Sequence, residues 1–326
     1  MKHVRNFVVA AALTAPIFAA AAPAPAPAAR PAAAPYPVKV VTLVTHSSPG
    51  SGSDVVLREE IKYFQRYINT TFVVENDEGG SGAKAVSRVA AAKPDGSMFY
   101  ATTPTYVLTS LMSKPANTYK DLEPLVNFFI DSEVVYTRAE SPYKTLKDAV
   151  ERARTARGRW GVSNPASLER ESAEELKRVA KVSPAIVSHD GGGDMMINVL
   201  NGTLDIGIGE VEEIRAQLEA KKVRVLATFN GERLAAYPDV PTAKELGYEV
   251  VLVKFRGLAG PKGLSPALVK LWDEAAQKVL ADPEFKKAYL EDNLAPHFIA
   301  HDQYGPFITQ FATDTANFLK STGVIR

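Results

Sequence analysis

From Val38 to Val44 the chain reads VKVVTLV, a β-branched run that predicts a buried parallel strand. A Gly/Ser-rich turn, Pro49 to Ser53, follows it. Leu57, Ile61, Phe64 and Ile68 then recur at the spacing of one helix face. Thr71 to Glu75 returns to strand, Gly79 to Gly82 makes a second glycine turn, and Ala83 to Ala92 reads as an Ala-rich helix. Pro94-Asp95-Gly96 turns the chain into a strand from Met98 to Ala101. This βαβαβ alternation is the pattern of an open sheet with parallel strands.

A second α/β set occupies the middle of the chain. Val134 to Thr137, Trp160 to Val162, Ala185 to Ser188, Leu204 to Ile208 and Val223 to Thr228 read as strands. Thr145 with Asp148 resembles a capping box opening a helix through Arg154, and Thr242 with Glu245 forms a second one with Gly247 as its stop. Asp194 to Asn201 predicts a short helix closed by Gly202. Glu212 and Glu213 open the next helix and Lys221 and Lys222 close it, matching the helix dipole at both ends. Toward the end, Ser265 and Pro266 predict an N-cap and N1 proline, with Leu268, Leu271, Trp272, Ala275 and Val279 on one face. Phe307, Phe311 and Phe318 continue an apolar face to the C-terminus, and no internal repeat is visible.

The first 36 residues do not share this pattern. Lys2 and Arg5 precede an apolar run from Phe7 to Ala22 with small residues at its end. A membrane anchor is the competing reading. The run is short for a span and contains Pro16, which favours a cleaved secretory signal at 1–22. Residues 23–36, rich in Ala and Pro, read as an extended spacer. About 290 residues remain, long for one core and suited to two lobes. The expected location is the periplasm.

Composition narrows the function. Hydrophobic residues make up 46% and charged residues 23%, as in ordinary globular proteins. Removing Lys2 and Arg5 takes the formal charge from +1 to −1, and no basic stripe marks a nucleic-acid partner. The chain has no cysteine, which excludes disulfides, thiol catalysis and thiolate metal sites. It also lacks a G-x-S-x-G elbow, a Walker sequence and a G-x-G-x-x-G helix opening. His297 and His301, four residues apart, suit a metal only if they share a helix, and PHFIAH after Leu294-Ala295 reads as loop or strand. His189 and Asp190 precede three glycines without a nucleophile motif. The expectation is therefore no catalytic residues, no metal and no cofactor.

What remains is three Gly/Ser-rich loops, each between a strand and a helix start: His46 to Asp54, Ser163 to Ser167 and Gly191 to Asp194. Glycine lets backbone N–H groups approach a ligand, helix N-termini favour anions, and open sheets bind ligands at the carboxyl ends of their strands. No Lys or Arg lies inside these loops. That points to a carboxylate held by dipoles rather than a phosphate held by point charges.

At these residues the chain resembles the substrate-binding proteins of tripartite tricarboxylate transporters, the TctC or Bug family, from about Tyr36 to Arg326. The family's A-P-G-G-x-x-D loop is similar to Ser48 to Asp54, and its V-E-N-x-x-G-x-x-G to Val74 to Gly82. Its P-D-G is Pro94 to Gly96, and its glycine-rich helix with V-D is similar to Asp190 to Asp205. Its P-D-V-P-T-x-x-E-x-G is met at Pro238 to Gly247. Ser51 replaces the second loop glycine, Ser47 an aromatic and Asn201 another glycine, while Val162 to Ala166 departs from S-S-G-x-G.

The resemblance implies a two-lobed α/β periplasmic binding protein of type II-like form, with parallel or mixed sheets flanked by helices and a hinge of crossing strands. One lobe would span 37–131 and 256–326, the other 132–255. It implies a small carboxylate in the interlobe cleft, held by Ser48, Gly50, Ser51, Ser53 and Asp54, by Thr102, Thr103 and Thr105, and by Ser163, Asn164, Gly191 and Gly192. Asp54 reads equally as a helix-start charge. Glu210 faces the cleft on this reading and repels a second carboxylate unless water, a cation or an amine intervenes. Phe255 matches the family's cleft tryptophan, and Arg256 beside it is placed to neutralise Glu210. Implied partners are one large and one small integral membrane subunit, with the binding protein a monomer. Two rival readings stand: a sensor engaging a receptor kinase, and a periplasmic hydrolase.

Overall fold

The computed structural model describes residues 34–252, 254–321 and 323–325. The signal sequence expected at 1–22 lies outside the described residues, as does most of the spacer. The chain begins β1 (Ala34–Thr45), α1 (Gly52–Tyr67), β2 (Ile68–Asn76), α2 (Ala83–Ala90), β3 (Met98–Thr102), α3 (Pro104–Ser113) and β4 (Leu122–Asp131). It continues β5 (Glu133–Arg138), α4 (Leu146–Thr155), β6 (Arg159–Val162), α5 (Leu168–Ala180), β7 (Ala185–Ser188), α6 (Gly192–Leu200), β8 (Ile206–Glu210), α7 (Val211–Glu219) and β9 (Val223–Thr228). It ends β10 (Lys254–Pro261), α8 (Pro266–Ala281), α9 (Pro283–Glu291), β11 (Ala295–Ile299) and α10 (His301–Ser321).

Two mixed sheets result, one per lobe. The first has order β11-β4-β10-β3-β1-β2 and the second β7-β6-β8-β5-β9. In the first, β1 runs parallel to β2 and β3, while β10 is antiparallel to β3 and β4. In the second, β6 is parallel to β7 and β8, while β5 is antiparallel to β8 and β9. Every strand-to-helix turn of the parallel strands therefore opens at one edge of its sheet, where ligands of open α/β sheets bind.

Each sheet buries its own core. In the first lobe Trp272 of α8 packs edge-on against Phe64, Phe72 and Phe99, with ring centroids 5.3, 6.0 and 5.0 Å away. Its indole N–H donates to the Tyr36 hydroxyl at 2.9 Å, and that hydroxyl donates to the Gly96 carbonyl at 2.9 Å. The extended segment before the expected first strand is thus pinned to the lobe. In the second lobe Trp160, Val162, Ile206 and Ile208 are fully buried beneath Leu146 and Leu176.

The chain crosses between lobes twice. Only Ser132 separates β4 of the first sheet from β5 of the second, and residues 229–253 carry it back. The two crossings lie side by side: Lys254 pairs with Asp131 in the sheet register, and the Phe229 N–H donates to the Glu133 carbonyl at 2.9 Å. Acidic and basic residues thereby meet at the point where both lobes begin. No helix among the described residues is long and apolar enough to cross a membrane.

Several elements follow their sequence signals. The Thr145–Asp148 capping box forms, and Ser265 caps α8 with Pro266 in its first turn. The Thr242–Glu245 box also forms both hydrogen bonds, at 3.0 Å each, but opens only a turn rather than the expected helix. Gly247, at φ +88°, ends it at once, and Thr242 bridges Thr228 at the end of β9 instead. His297 lies exposed on β11, whereas His301 begins α10 and its Nε2 is 3.0 Å from Glu123 Oε1. The two histidines do not share a helix.

Candidate functional site

The first glycine loop is held from within. Asp54, in the first turn of α1, accepts from the Gly50 N–H at 3.0 Å, from Arg58 Nε at 2.9 Å and from Asn76 Nδ2 at 3.0 Å. Burial pushes the Asp54 carboxyl up, but these donors more than offset it and bring it below the usual carboxylate range. Asp54 is therefore fully committed to shaping its loop. The φ of +80° at Gly50 is what the tight turn requires.

Across the seam stands the N-terminus of α6. A methyl group at Gly191 would overlap Ser48, and one at Gly193 would overlap the Pro49 carbonyl. The loop from one lobe therefore touches the helix start of the other directly, at a distance only glycine permits. The hydroxyls of Ser48, Ser51 and Thr103 are buried at this seam without a hydrogen-bond partner. Thr103 shares a small hollow of about 10 Å³ with Ser53, Glu60 and Arg256, about one water's worth of space.

The other expected contacts divide. Ser53 Oγ accepts from Arg256 Nη1 at 3.3 Å, and Thr102 Oγ1 is 2.6 Å from the Tyr304 hydroxyl. Thr105 is buried in the first turn of α3. Asn164 spends its side chain on its own loop, accepting from the Ala166 N–H at 3.0 Å, while Ser163 is buried beside it. Phe255 stands apart from the seam. It packs among Tyr106, Tyr304, Phe307 and Phe311, with ring centroids 5.1–6.4 Å away. Alternation along β10 sends Phe255 to that aromatic cluster, where it lines a separate hollow with Leu168 and Glu171 of the second lobe, and sends its neighbours Lys254 and Arg256 to the seam.

Those two cations sit in an acidic chamber between the lobes. Lys254 Nζ donates to Glu169 Oε1 at 2.7 Å and to Glu210. Arg256 Nε donates to Asp131 Oδ2 at 2.6 Å, and its Nη2 pairs with Glu212 and lies 3.9 Å from Glu210 Oε2. Glu133 accepts from the Ser172 hydroxyl, and Glu213 accepts from the Tyr136 hydroxyl at 3.4 Å. With Glu60, seven acids thus surround two cations, every one of them under 9% exposed.

Burial sets their protonation. It raises Glu60 to about 8 against the counter-pull of Arg256, and Glu210 to about 7 despite Lys254. Burial, joined by neighbouring acids, lifts Glu133, Glu212 and Glu213 well above the usual range. Glu169 is the exception: burial opposes its charge, but the Lys254 ammonium prevails and holds it low. His46, behind the seam with Nδ1 2.8 Å from the Tyr100 hydroxyl, is lowered to about 4 by burial and by Lys254, so it is neutral at pH 7. The chamber balances its charge largely by keeping carboxyl groups protonated.

The glutamates also occupy the helix starts. Glu210 Oε2 and Glu212 Oε1 each lie 2.6 Å from where a Cβ would stand on Gly52, at the first turn of α1. Glu213 fills the equivalent space beside Gly192 at the start of α6. Sequence reasoning singled out Glu210 and Arg256 and missed Lys254, Glu133, Glu169 and Asp131, while reading Glu212 and Glu213 as helix-start charges only. A usable signal was present: Lys254 and Arg256 interrupt an otherwise apolar run from Val250 to Gly260.

A sequence model described as the tripartite tricarboxylate transporter family receptor matches residues 56–324. A Cupriavidus necator protein named "UPF0065 protein in gbd 5'region" is 25% identical over 294 residues, covering 89% of this chain and 90% of its own length. Among solved structures, the periplasmic binding protein BugD superposes with a TM-score of 0.83 at 22% identity, covering 89% of this chain and 99% of that one. The malate-bound MatC of Rhodopseudomonas palustris gives 0.77 at 22% identity, covering 89% and 100%.

Proposed function

The chain belongs to the tripartite tricarboxylate transporter receptor family, and from that premise we propose that it is a periplasmic receptor. On this reading it closes its lobes, 37–131 with 256–326 and 132–255, over one small carboxylate and delivers it to integral membrane subunits. The observation that carries the reading is the pair of carboxylates at the start of α1. Glu210 and Glu212 place oxygens beside Gly52, between the helix N-terminus and Arg256. A helix N-terminus beside a buried guanidinium suits a solute's carboxylate, and on this reading Glu210 and Glu212 line that place. Opening at the paired crossings 131–133 and 229–254 withdraws them and exposes it. The malate in the MatC structure is in keeping with a carboxylate ligand. The role on this reading is capture without covalent chemistry.

A thermal-denaturation screen over mono-, di- and amino-carboxylates tests this. A ligand at 100 times its Kd should add about 2.7 kcal/mol of stability. Hits confined to sugars would sink the proposal.

Closure itself is tested at Gly193. Alanine suits the helix there, but its methyl would meet the Pro49 carbonyl of the other lobe. Gly193→Ala should oppose closure by about 1–3 kcal/mol while leaving helix content intact. Small-angle scattering should then show a larger radius of gyration than the parent's, with weaker ligand binding. An unchanged radius and affinity would exclude closure at this seam.

A further inference from the structure

Where β10 turns Lys254 and Arg256 toward the acidic chamber, it turns Phe255 into a second interlobe hollow of about 550 Å³. Small-molecule sites usually measure about 300–1,000 Å³ and are mostly apolar. On the first-lobe side, Phe255 is joined by Phe307, Phe311 and Phe318 of α10. Leu168 of α5 and Val251 and Leu252 of the return crossing complete the apolar lining. Phe307, Phe311 and Phe318 are each only partly buried, so the contact between the lobes leaves phenyl surface facing the hollow. Covering such surface with the apolar body of a ligand gains about 25 cal/mol per Å².

The rim gives the hollow a sign. Glu171 and Glu175 of α5, Glu249 ahead of the crossing and Asp314 of α10 line it, with no lysine, arginine or histidine among the described lining residues. Glu175 is already paired with Arg178. Glu171, Glu249 and Asp314 have no ion-pair partner among the described residues, and Asp314 accepts only the Gln310 amide, at 2.9 Å. Burial, joined by Glu175, raises the Glu171 carboxyl to about 7, so at pH 8 it is mostly ionised. Phenyl faces attract cations through their quadrupole, and the rim acids add a Coulombic pull of the same sign. We infer that this hollow binds a monovalent organic cation, an alkyl- or arylammonium whose body lies against the phenylalanines and whose nitrogen faces the acidic rim. The inference does not rest on the receptor reading. The lining differs from that of the seam, and the rim acids repel a carboxylate.

Ligand-observed NMR titrations of the full protein at pH 8 test this with 2-phenylethylammonium and benzyltrimethylammonium, against 2-phenylethanol as the neutral counterpart. The two ammonium probes should bind about 10-fold more tightly than the alcohol. Glu249→Lys and Asp314→Lys, both at exposed positions, place a cation on the rim. Each should weaken the ammonium probes about 3- to 10-fold and leave the alcohol unchanged. Val251→Trp, at a residue 46% exposed, should fill the hollow and weaken all three probes. Melting curves read without ligand confirm that the variants fold. Equal affinity for the ammonium probes and the alcohol would overturn the inference, as would no line broadening for any probe at millimolar concentration. Ammonium binding untouched by all three substitutions would put the cation elsewhere on the protein and overturn it too.

Discussion

Lys254→Met should cost about 3–5 kcal/mol of unfolding free energy at pH 8, the penalty for stripping the cation from a buried ion network. Lys254 Nζ is the shared partner of Glu169 and Glu210, and its side chain is only 6% exposed. Without it Glu169 loses the charge that holds its carboxyl low and must either stay ionised in a low-dielectric pocket or take up a proton. The second route is cheap near pH 5 and expensive at pH 8, so the loss should shrink as the pH falls. Adding Glu169→Gln to the same variant should recover much of the stability, because a neutral amide no longer needs the ammonium. Urea titrations of the two variants at pH 5 and pH 8 measure this directly. A loss below about 1 kcal/mol at both pH values would mean that the chamber carries no net charge for Lys254 to balance.

The elements that the sequence made legible are those whose local pattern agrees with their burial. The β-branched VKVVTLV run became the first strand, and the capping box at Thr145 and the N-cap at Ser265 opened helices where their hydrogen-bonding side chains stand. Elements whose patterns were mixed escaped. β10 reads KFRGLAGP, two cations in a strand whose residues are all buried, because its polar face meets buried acids rather than water. β4 carries Pro124 and Asn127, and α5 carries seven charged residues in thirteen, which masked its apolar face of Leu168, Ala173 and Leu176. The site divided along the same line. Loops such as Ser48 to Asp54 and Gly191 to Asp194 are contiguous, so their glycines could be seen. The acidic chamber is assembled from Glu60 to Arg256, and each member alone resembles an ordinary surface or helix-end charge. Only tertiary packing makes Glu212 and Glu213 neighbours of Gly52 and Gly192.

That assembly also fixes the direction in which stability changes with pH, most simply at Glu60. Its carboxyl is 2% exposed in α1, and burial raises it from the ordinary 4.5 to about 8, with Arg256 pulling weakly the other way. A raised acid is one that the native state protonates while the unfolded chain does not. Its contribution is complete below pH 4.5 and falls away as the pH climbs to about 8. The slope approaches 1.4 kcal/mol per pH unit, and the total for Glu60 is about 5 kcal/mol. Glu210, raised to about 7, acts in the same sense over the lower part of that window. The lowered groups Asp54 and Glu169 act oppositely, contributing above their unfolded values and losing that contribution as the pH falls further. The protein should therefore be more stable at pH 5 than at pH 8.5. Glu60→Gln, neutral at every pH, should flatten the profile and stabilise the protein at pH 8.5 relative to the parent while changing little at pH 5. Denaturation free energies at half-unit pH steps give both curves, and parallel curves for the parent and the variant would show that Glu60 is ionised in the folded protein throughout.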